Sequence, residues 1–378
     1  MIEHIHLQNF KASRNLRARL AQLTLLAGLN SSGKSSILQS IAILRQSYGG
    51  AASATSMVLS GDLVRLGHGR DVLNEGAETE EDLITFEVRE NGHDYRWSCS
   101  SVPDASELPF SSSPDAPPPF ILSPHFQFLQ ADRTSPHTLY PQAPQHARTT
   151  GFLGPKGEYT ADYLALNLDD VLSETRSVSH SNWPVSQEVL TLVSPTNKLV
   201  DQVAAWLQQL SPGVRLSAER VKGTDEVRLA YEFVGRPRTT KSNQYRPGNV
   251  GFGLTYSLPI IVACLAAPPN SLLLLENPEA HLHPQGQLAL GELLSLAAAD
   301  GVQLIVETHS DHVLNGIRLA TKRRLLSSDR VALHFFTRAH LTGDSEIESP
   351  ALLEGGKLSN WPKGFFDQWE KSLDALLD

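Results

Sequence analysis

A glycine-rich segment near the start of the chain has the residue types and the spacing of a phosphate-binding loop. Residues 28–36 are Gly-Leu-Asn-Ser-Ser-Gly-Lys-Ser-Ser, which contain the pattern G-x-x-x-x-G-K-S. In such a P-loop, successive backbone N–H groups and the N-terminus of the next helix point at a bound phosphate. Lys34 is then placed to neutralise the β- and γ-phosphates of a nucleotide, and the Ser35 hydroxyl to bind Mg²⁺. The candidate nucleotide-binding residues of this loop are Gly28, Asn30, Ser31, Ser32, Gly33, Lys34, Ser35 and Ser36.

A second candidate site follows a run of four leucines at residues 272–275. Such a run is typical of a buried central strand, and Glu276 would lie at its carboxyl end, where open parallel sheets bind ligands. In a P-loop protein this carboxylate holds Mg²⁺ directly or through water. Glu279 could polarise an attacking water, or it could simply cap the helix that follows.

Two further segments have residues that could contact a phosphate. His309 would follow the next predicted strand and could donate a hydrogen bond to a γ-phosphate, although a lone histidine is more often structural. Residues 251–255 are Gly-Phe-Gly-Leu-Thr and open a predicted helix. Glycines and a hydroxyl at a helix N-terminus can form an anion site, although a plain turn into a helix would have the same sequence. The candidate residues in this segment are Gly251, Gly253 and Thr255.

The elements that must position these residues alternate between strands and helices. An apolar run precedes the P-loop and apolar residues at helical spacing follow it, which is the context that the motif needs. Strand, helix and strand at these lengths imply parallel pairing with right-handed crossovers. Strands are predicted at 2–10, 20–27, 272–275 and 302–306, and helices after the P-loop, at about 255–266, after Pro284 and after the capping residue Ser310.

The remainder of the chain divides into an antiparallel part and a less regular part. Asn91-Gly92 between the apolar segments 83–88 and 93–99 predicts a hairpin beside the nucleotide-binding core. Loops are predicted at 101–119 and 136–157, strands at 120–129, 214–216 and 227–233, and helices at 159–168 and 198–210. We therefore predict an N-terminal lobe at 1–99, a loop-rich and helical insert at 100–250, and a C-terminal lobe at 251–378.

Composition excludes several classes of protein. The net charge of −9 argues against a chain that is basic throughout and binds nucleic acid over its whole surface. The two cysteines, Cys99 and Cys264, form neither a disulfide framework nor a metal site. The first strand begins almost at Met1, which leaves no room for a secretion signal, and the longest apolar run is too short to span a bilayer. These features predict a cytoplasmic protein that does not enter a membrane.

In chain order, these motifs resemble the head domain of ATP-binding-cassette (ABC) ATPases, and more narrowly the SMC, RecF and OLD-like branch. Residues 360–367, Asn-Trp-Pro-Lys-Gly-Phe-Phe-Asp, look like the C-terminal segment of a bacterial subgroup of these ATPases. The resemblance covers both ends of the chain and hardly the middle. It is carried by IHLQNF at residues 5–10, by the P-loop at 28–36 and by ENPEAHLHP at 276–284.

The resemblance implies an α/β fold: an ABC-type P-loop NTPase head with a central, mainly parallel sheet, an added antiparallel β lobe and a helical, loop-rich insert. It also implies a homodimer or higher homo-oligomer in which two heads close around ATP and Mg²⁺. Glu276 would take the Walker B place, His309 the switch place, and Gly251, Gly253 and Thr255 the signature place. The tail after Arg330 lacks the D-x-D carboxylates of the Toprim nuclease found in related OLD proteins.

Two departures from the family pattern bear on function. The usual Leu-Ser-Gly-Gly signature is replaced, and the glutamate that normally follows the Walker B acid and activates water is Asn277. An amide cannot accept a proton from water, so hydrolysis would be slow, or Glu279 or Glu307 would substitute as the base. Gln130 is the candidate for the Q-loop glutamine.

The first hypothesis is an ATPase that dimerises around ATP and regulates or loads a separate effector protein from the same operon, in bacterial antiphage defence or DNA repair. Two alternatives remain. One is a nucleotide-gated scaffold or sensor with little turnover, which Asn277 favours. The other is a RecF-like repair protein that binds DNA, which salt-dependent binding to a duplex would support.

Overall fold

The computed structural model describes residues 1–77, 82–178, 196–233, 243–366, 372–373 and 375–376. The chain divides into two compact units. The first unit comprises residues 1–124, 305–309 and 328–378, and the second comprises residues 125–304 and 310–327. No helix within the described ranges has both the length and the apolar character needed to cross a bilayer.

The first unit contains two groups of paired strands. One is an antiparallel sheet with the order β2-β1-β5-β6-β7-β4, and the other has the order β15-β14-β3-β13, in which β14 pairs parallel to β3. Its strands are β1 Ile2–Phe10, β2 Ser13–Arg19, β3 Leu23–Gly28, β4 Ser56–Val58, β5 Ile84–Glu90, β6 His93–Cys99, β7 Glu107–Ser112, β14 Val331–Arg338 and β15 Ser345–Glu348, with the end of β13 Gln303–Glu307. Its helices are α1 Lys34–Tyr48, α2 Gly69–Val72 and α3 Pro119–Leu122.

Apolar spacing explains the central strand and helix of this unit. Leu23 to Ala27 are all buried, as expected for a strand covered on both faces. In α1, Ile37, Leu38 and Ile41 are fully buried, and the helix ends at Gly49 in a left-handed conformation. This packing fixes both ends of the loop that joins the strand to the helix.

Among its described residues, the second unit contains two smaller groups of strands and six α-helices. The start of β13 continues the order β13-β12-β8, with β8 parallel to β12, and a three-stranded antiparallel sheet has the order β10-β11-β9. The strands are β8 Phe126–Leu129, β9 Leu139–Pro141, β10 Val214–Arg220, β11 Glu226–Phe233 and β12 Leu272–Glu276. The helices are α4 Gln145–Thr150, α5 Thr160–Asn167, α6 Leu199–Leu207, α7 Phe252–Ala266, α8 Pro284–Ala299 and α9 Asp311–Lys322.

Helices α8 and α9 pack backbone against backbone. A Cβ atom built on Gly291 would lie 2.3 Å from the carbonyl oxygen of Val313, and one on Gly316 would lie 2.2 Å from that of Leu288. Only glycine fits at either position. Helix α8 follows the strand that ends in Glu276 and therefore lies between that strand and α9 in the chain.

The predicted fold class is confirmed: the protein is an α/β P-loop structure with parallel strand pairs and an added antiparallel sheet. The predicted hairpin forms around Asn91 and Gly92, and Ser310 caps α9 by accepting a hydrogen bond from the N–H of Val313 at 3.1 Å. Three predictions were wrong in part. Residues 120–129 are not one strand but a short helix followed by β8, residues 101–119 include β7, and residues 136–157 include β9 and α4. Strands β2, β14 and β15 were not predicted.

Candidate functional site

The P-loop of the first unit has a conformation that requires glycine at two positions. Gly28 and Gly33 have φ values of 141° and 96°. A Cβ on Gly28 would lie 2.2 Å from the carbonyl oxygen of Phe336, and one on Gly33 would lie 2.0 Å from Oγ of Ser345. The loop is therefore a tight turn around exposed backbone between strand β3 and helix α1, which fits the phosphate group of a nucleotide.

Lys34 is the first residue of α1 and is buried, with 3% of its surface exposed. Its Nζ donates to the carbonyl oxygens of Gly28 at 3.0 Å and Leu29 at 2.6 Å. Oε1 of Glu307 lies 4.0 Å from the same nitrogen. The positive charge is thus held against the loop by local contacts, within the turn where a phosphate would lie.

The remaining loop residues differ in their exposure. Leu29, Asn30 and Ser31 are exposed, Ser35 is half-buried, and Ser36 is buried. The hydroxyl of Ser32 is turned back into the loop and donates to the carbonyl oxygen of Leu29 at 2.7 Å. Ser32 therefore stabilises the loop itself, while Ser35 keeps part of its surface exposed.

His309 follows β13 and is exposed in the first unit. The preceding residue, Thr308, donates its N–H to the carbonyl oxygen of Leu26 at 3.0 Å, which holds this end of β13 against β3. Burial of part of the ring and the nearby charge of Lys34 lower the pKa of His309 from 6.5. The first unit thus brings Lys34, Glu307 and a neutral imidazole together at the carboxyl ends of two strands.

Glu276 ends β12 in the second unit, as predicted. One of its carboxylate oxygens, Oε2, accepts a hydrogen bond from the N–H of Ala131 at 3.1 Å. Asn277 follows in the left-handed region, with a φ of 42°. Its side-chain oxygen is buried and has no hydrogen-bond partner among the residues that the structure describes. This oxygen can accept a hydrogen bond from a water molecule but cannot take its proton.

Arg133 is a residue of this region that the sequence did not single out. Its side chain is 2% exposed. Nη1 donates to the carbonyl oxygens of Gln130 at 3.1 Å and Glu276 at 2.8 Å, and Nη2 donates to that of Asn277 at 2.8 Å. The only sequence signal was the position of Arg133 three residues after Gln130, the candidate Q-loop glutamine.

Glu279 is half-buried, and its charge acts on the guanidinium of Arg133. The helix after it, α8, has His283 as its N-cap, where Nδ1 accepts from the N–H of Gln285 at 3.3 Å. The capping role that Glu279 might have had by sequence is therefore taken by His283.

The segment 251–255 begins α7 in the second unit. Gly251 is exposed and Gly253 is half-buried, with its Cα close to the main chain of His281. Thr255 is only 4% exposed, and its hydroxyl lies 3.4 Å from that of Tyr231. The glycines are thus accessible to a ligand, whereas the Thr255 hydroxyl faces the interior of the second unit.

Metal binding would depend on few protein ligands. Across the described ranges, no group of three or more His, Cys, Asp or Glu side chains is arranged to hold a metal ion. Mg²⁺ bound with a nucleotide needs only one or two protein oxygens, because phosphate and water supply the rest. The side chains of Ser35 and Glu276 have oxygen donors of the kind that Mg²⁺ prefers, and their role as ligands of one metal ion stays a prediction.

Family models match three segments of the chain. Residues 1–87 match the AAA ATPase domain, and residues 210–315 match an AAA domain whose description names the AbiEii toxin and a type IV TA system. Residues 326–376 match a family described as Protein of unknown function (DUF3696). The two AAA matches include the P-loop and the Glu276 strand, and they support ATP binding and hydrolysis. No curated protein has a matching sequence.

The solved structures that are remotely similar include three SMC head domains. The SMC head domain from Thermotoga maritima is 13% identical, with a TM-score of 0.44, and the similarity covers 92% of this chain and 98% of that one. An SmcHead bound to the C-winged helix domain of ScpA is 16% identical, with a TM-score of 0.44 and 93% and 98% coverage. The Smc head domain bound to the C-terminal domain of ScpA from Pyrococcus furiosus is 14% identical, with a TM-score of 0.48 and 100% and 99% coverage.

Proposed function

We propose that this protein is an ATPase that binds ATP with Mg²⁺ on its P-loop and hydrolyses it. The observation that carries the proposal is the geometry of Lys34, whose buried ammonium is held inside a turn that only glycine can form at residues 28 and 33. An ammonium has three donors, so it can bind a β- or γ-phosphate oxygen as well as the loop. The Ser35 hydroxyl would be the P-loop ligand of the metal.

Asn277, Glu279 and Glu307 are the candidates for orienting the attacking water or accepting its proton, and Mg²⁺, Glu276 and His309 would act on the phosphates. Bound Mg²⁺ would neutralise charge that develops on the phosphates. Glu276 would hold the metal, and Asn277 would orient water through its buried side-chain oxygen. The proton would pass to Glu279 or Glu307, because the amide of Asn277 cannot accept it. His309, neutral at pH 7, would hydrogen-bond the γ-phosphate and so distinguish ATP from ADP.

We also propose that two copies associate around ATP and act on a separate effector protein. The family resemblance supports this arrangement. In such a dimer, the exposed side chains of Leu29 in the P-loop (68% exposed) and Phe252 at the start of α7 (53% exposed) would be available for contact with the second copy. A role in antiphage defence or DNA repair rests on the resemblance alone.

Phosphate release by the purified protein tests this function. Mg²⁺-dependent release that is lost in Lys34→Ala is expected for the ATPase. Tight ATP binding without release would instead identify a nucleotide-gated sensor. If the protein neither binds ATP nor releases phosphate, both the ATPase and the sensor are contradicted. Light scattering with and without a non-hydrolysable ATP analogue tests whether ATP drives dimerisation.

A second candidate function, DNA binding, is favoured by a groove on the first unit. The groove has a volume of about 580 Å³ and lies on the antiparallel sheet. In the strand register, His6 is opposite both Arg17 and Glu87, and Glu87 is opposite Arg96, so these side chains form one row across the strands. Its charged and histidine lining residues are His4, His6, Arg17, Arg19, Glu87, Arg89, Asp94 and Arg96.

The arginines outnumber the acids in this groove. Arg96 lies 3.3 Å from Glu87, and Arg89 lies 3.5 Å from Glu3 and 4.0 Å from Asp94, so carboxylates offset a large part of the arginine charge. A local positive surface on a chain with net charge −9 fits a phosphate backbone. Duplex affinity that falls roughly 10-fold or more between 50 and 200 mM salt, and is weakened by R17E/R19E, would support DNA binding. The absence of binding at low salt would exclude it.

A further inference from the structure

The buried side chain of Arg133 binds the turn that contains Glu276 and Asn277 through several hydrogen bonds. Two of its hydrogen bonds go to consecutive carbonyl oxygens, those of Glu276 and Asn277, each at 2.8 Å. Two residues earlier, the N–H of Ala131 donates to the carboxylate of Glu276. The segment 131–133 therefore contacts both the side chain of Glu276 and the main chain that follows it.

We propose that Arg133 is a positioning residue that fixes the Glu276–Asn277 turn for hydrolysis and couples it to the start of helix α7. This inference rests on the proposed ATPase function. It assigns no contact with nucleotide to Arg133, whose guanidinium is buried among protein groups. Its effect on the reaction comes through the two residues whose carbonyl oxygens it holds.

The cost of burial argues that the arrangement has a specific role. Taking a guanidinium out of water costs several kcal/mol, and the cost is recovered only when its donors are satisfied. Nε of Arg133 is nevertheless buried with no hydrogen-bond partner among the described residues. Burial lowers the pKa of Arg133 to about 10, so the group still carries its charge at pH 7.

The backbone of Asn277 shows what the guanidinium holds. A non-glycine residue with φ near 42° occupies a conformation that costs about 1 kcal/mol and is uncommon outside Asn and Asp. The bond from Nη2 to the Asn277 carbonyl fixes the peptide group that follows this residue. Without the bond, the turn can relax, and the buried amide oxygen of Asn277 would lose its position.

The coupling to α7 runs through one aromatic side chain. The guanidinium of Arg133 lies 5.5 Å from the ring centre of Tyr256, on the first turn of the helix. Tyr256 in turn packs edge-on against His281 at 4.6 Å and lies 6.3 Å from the exposed ring of Phe252. A partner that binds at Phe252 and shifts the helix start would therefore move the residue against which Arg133 rests.

Arg176 provides a matched control in the same unit. It is also buried, and its Nη1 donates to the carbonyl oxygens of Cys264 and Leu265 at 3.1 Å, with a further bond to Ala267. Its Nε lies 2.7 Å from Asp300. These contacts hold the end of α7 and none reaches the Glu276 turn. Arg176→Met thus measures what losing a buried, carbonyl-bound arginine does to stability alone.

The experiment compares Arg133→Met, Arg133→Lys and Arg176→Met by hydrogen–deuterium exchange without nucleotide and by steady-state kinetics. In Arg133→Met, amides in peptides covering 276–282 should exchange about tenfold faster, while those around 264–267 stay unchanged. In Arg176→Met, amides around 264–267 should exchange faster, while those at 276–282 should stay unchanged. We expect kcat to fall roughly 100-fold in Arg133→Met with ATP affinity within twofold of wild type. In Arg133→Lys, both the exchange rate at 276–282 and kcat should lie between those of wild type and Arg133→Met. One ammonium cannot bond both carbonyl oxygens with the geometry of the guanidinium.

Two results would overturn the inference. One is unchanged exchange at 276–282 in Arg133→Met, and the other is equal loss of kcat in the two methionine variants. If Arg133→Met does not fold, Tyr256→Leu tests the same coupling, with a smaller rise in exchange at 276–282 expected and no rise contradicting it. If the wild-type protein releases no phosphate, the proposed function fails, but exchange at the turn still decides whether Arg133 positions it.

Discussion

The P-loop of the first unit and the Glu276 turn of the second unit are built in different ways. Lys34 donates hydrogen bonds to residues five and six positions earlier in the chain. The carbonyl oxygens of Glu276 and Asn277 are held by a side chain that lies 143 and 144 positions away. The ammonium of Lys34 is thus held by its own loop, whereas the carbonyl oxygens of the Glu276 turn are held by a side chain from a distant part of the sequence.

This difference teaches where each region should be sensitive to change. A charge that is held by neighbouring residues is lost mainly when those residues are altered. A turn held by remote contacts can be weakened from many places, because each contact supplies only part of its geometry. Substitutions in the P-loop should therefore affect binding, and those around Glu276 should affect turnover.

The largest effect is expected from Lys34→Ala. Removing the buried ammonium leaves the phosphates without a partner charge, and we expect ATP binding and turnover both to be lost. Isothermal titration calorimetry measures the binding. Lys198→Ala, which removes a lysine from an exposed ion pair with Asp169, is the control and should bind as wild type does. Unchanged ATP affinity in Lys34→Ala would contradict the assignment of the P-loop.

Glu276→Gln should separate the two regions. The amide oxygen can still accept from the N–H of Ala131, so the fold should be kept, while the charge that holds Mg²⁺ is lost. We expect turnover to fall about 10²-fold or more, with ATP affinity changed far less. Thermal unfolding checks the fold and a phosphate-release assay checks turnover. Loss of ATP binding as severe as in Lys34→Ala would contradict the assignment of binding to the P-loop and of turnover to the Glu276 turn.

Asn277→Glu tests the missing base with a smaller effect. If no other group takes the proton, a carboxylate at this position should raise turnover several-fold. The left-handed backbone there will cost the variant about 1 kcal/mol of stability. Asn270→Glu is the matched control, because Asn270 is exposed and also has a positive φ, of 67°. If Asn277→Glu and Asn270→Glu lose the same stability and Asn277→Glu gains no turnover, the base lies elsewhere, at Glu279 or Glu307.

The smallest effect concerns the histidine beside the P-loop. Because partial burial and Lys34 lower the pKa of His309 from 6.5, Lys34→Met should raise that pKa, as measured by NMR titration. His334 is the internal control, since burial is the first cause of its lowered pKa and Lys34 is not among the causes. An unchanged pKa of His309 in Lys34→Met would contradict the electrostatic effect of Lys34 on this histidine.

The same two histidines set the sign of a pH effect on stability. Both have a lower pKa in the folded protein than the ordinary value of 6.5, so the unfolded chain binds protons more readily. The free energy of unfolding should therefore decrease as the pH falls below about 6.5 through the folded pKa values. Denaturant unfolding at several pH values measures this decrease. A rise in stability over that range would contradict it.

Sequence patterns predicted those structural elements that are determined by residues close to one another in the chain. The strand, loop and helix around Lys34 and the cap at Ser310 follow from residues within one turn of each other. Residues 120–129 show the opposite case. Arg45 donates to the carbonyl oxygens of Phe120, Ile121 and Ser123 and so holds a short helix where the apolar run predicted a strand. Long-range contacts of this kind leave no periodic signal.

Arg133 was missed for the same reason. Nothing in the sequence around it distinguishes a buried arginine that holds a distant turn from an exposed one in a loop. Its partners could be named only once the strands β8 and β12 were seen to pair in parallel, which brings their carboxyl ends together. The chemistry of Glu276 could thus be predicted from its position, but the group that holds its turn could not.

Strand β14 has a consequence for how this protein is made. Its residues 331 to 336 pair with residues 23 to 28, and the carbonyl of Phe336 closes the space beside Gly28. The P-loop therefore leaves the ribosome long before the strand that supports it. The nascent chain cannot complete the packing around Gly28 until translation has passed residue 336.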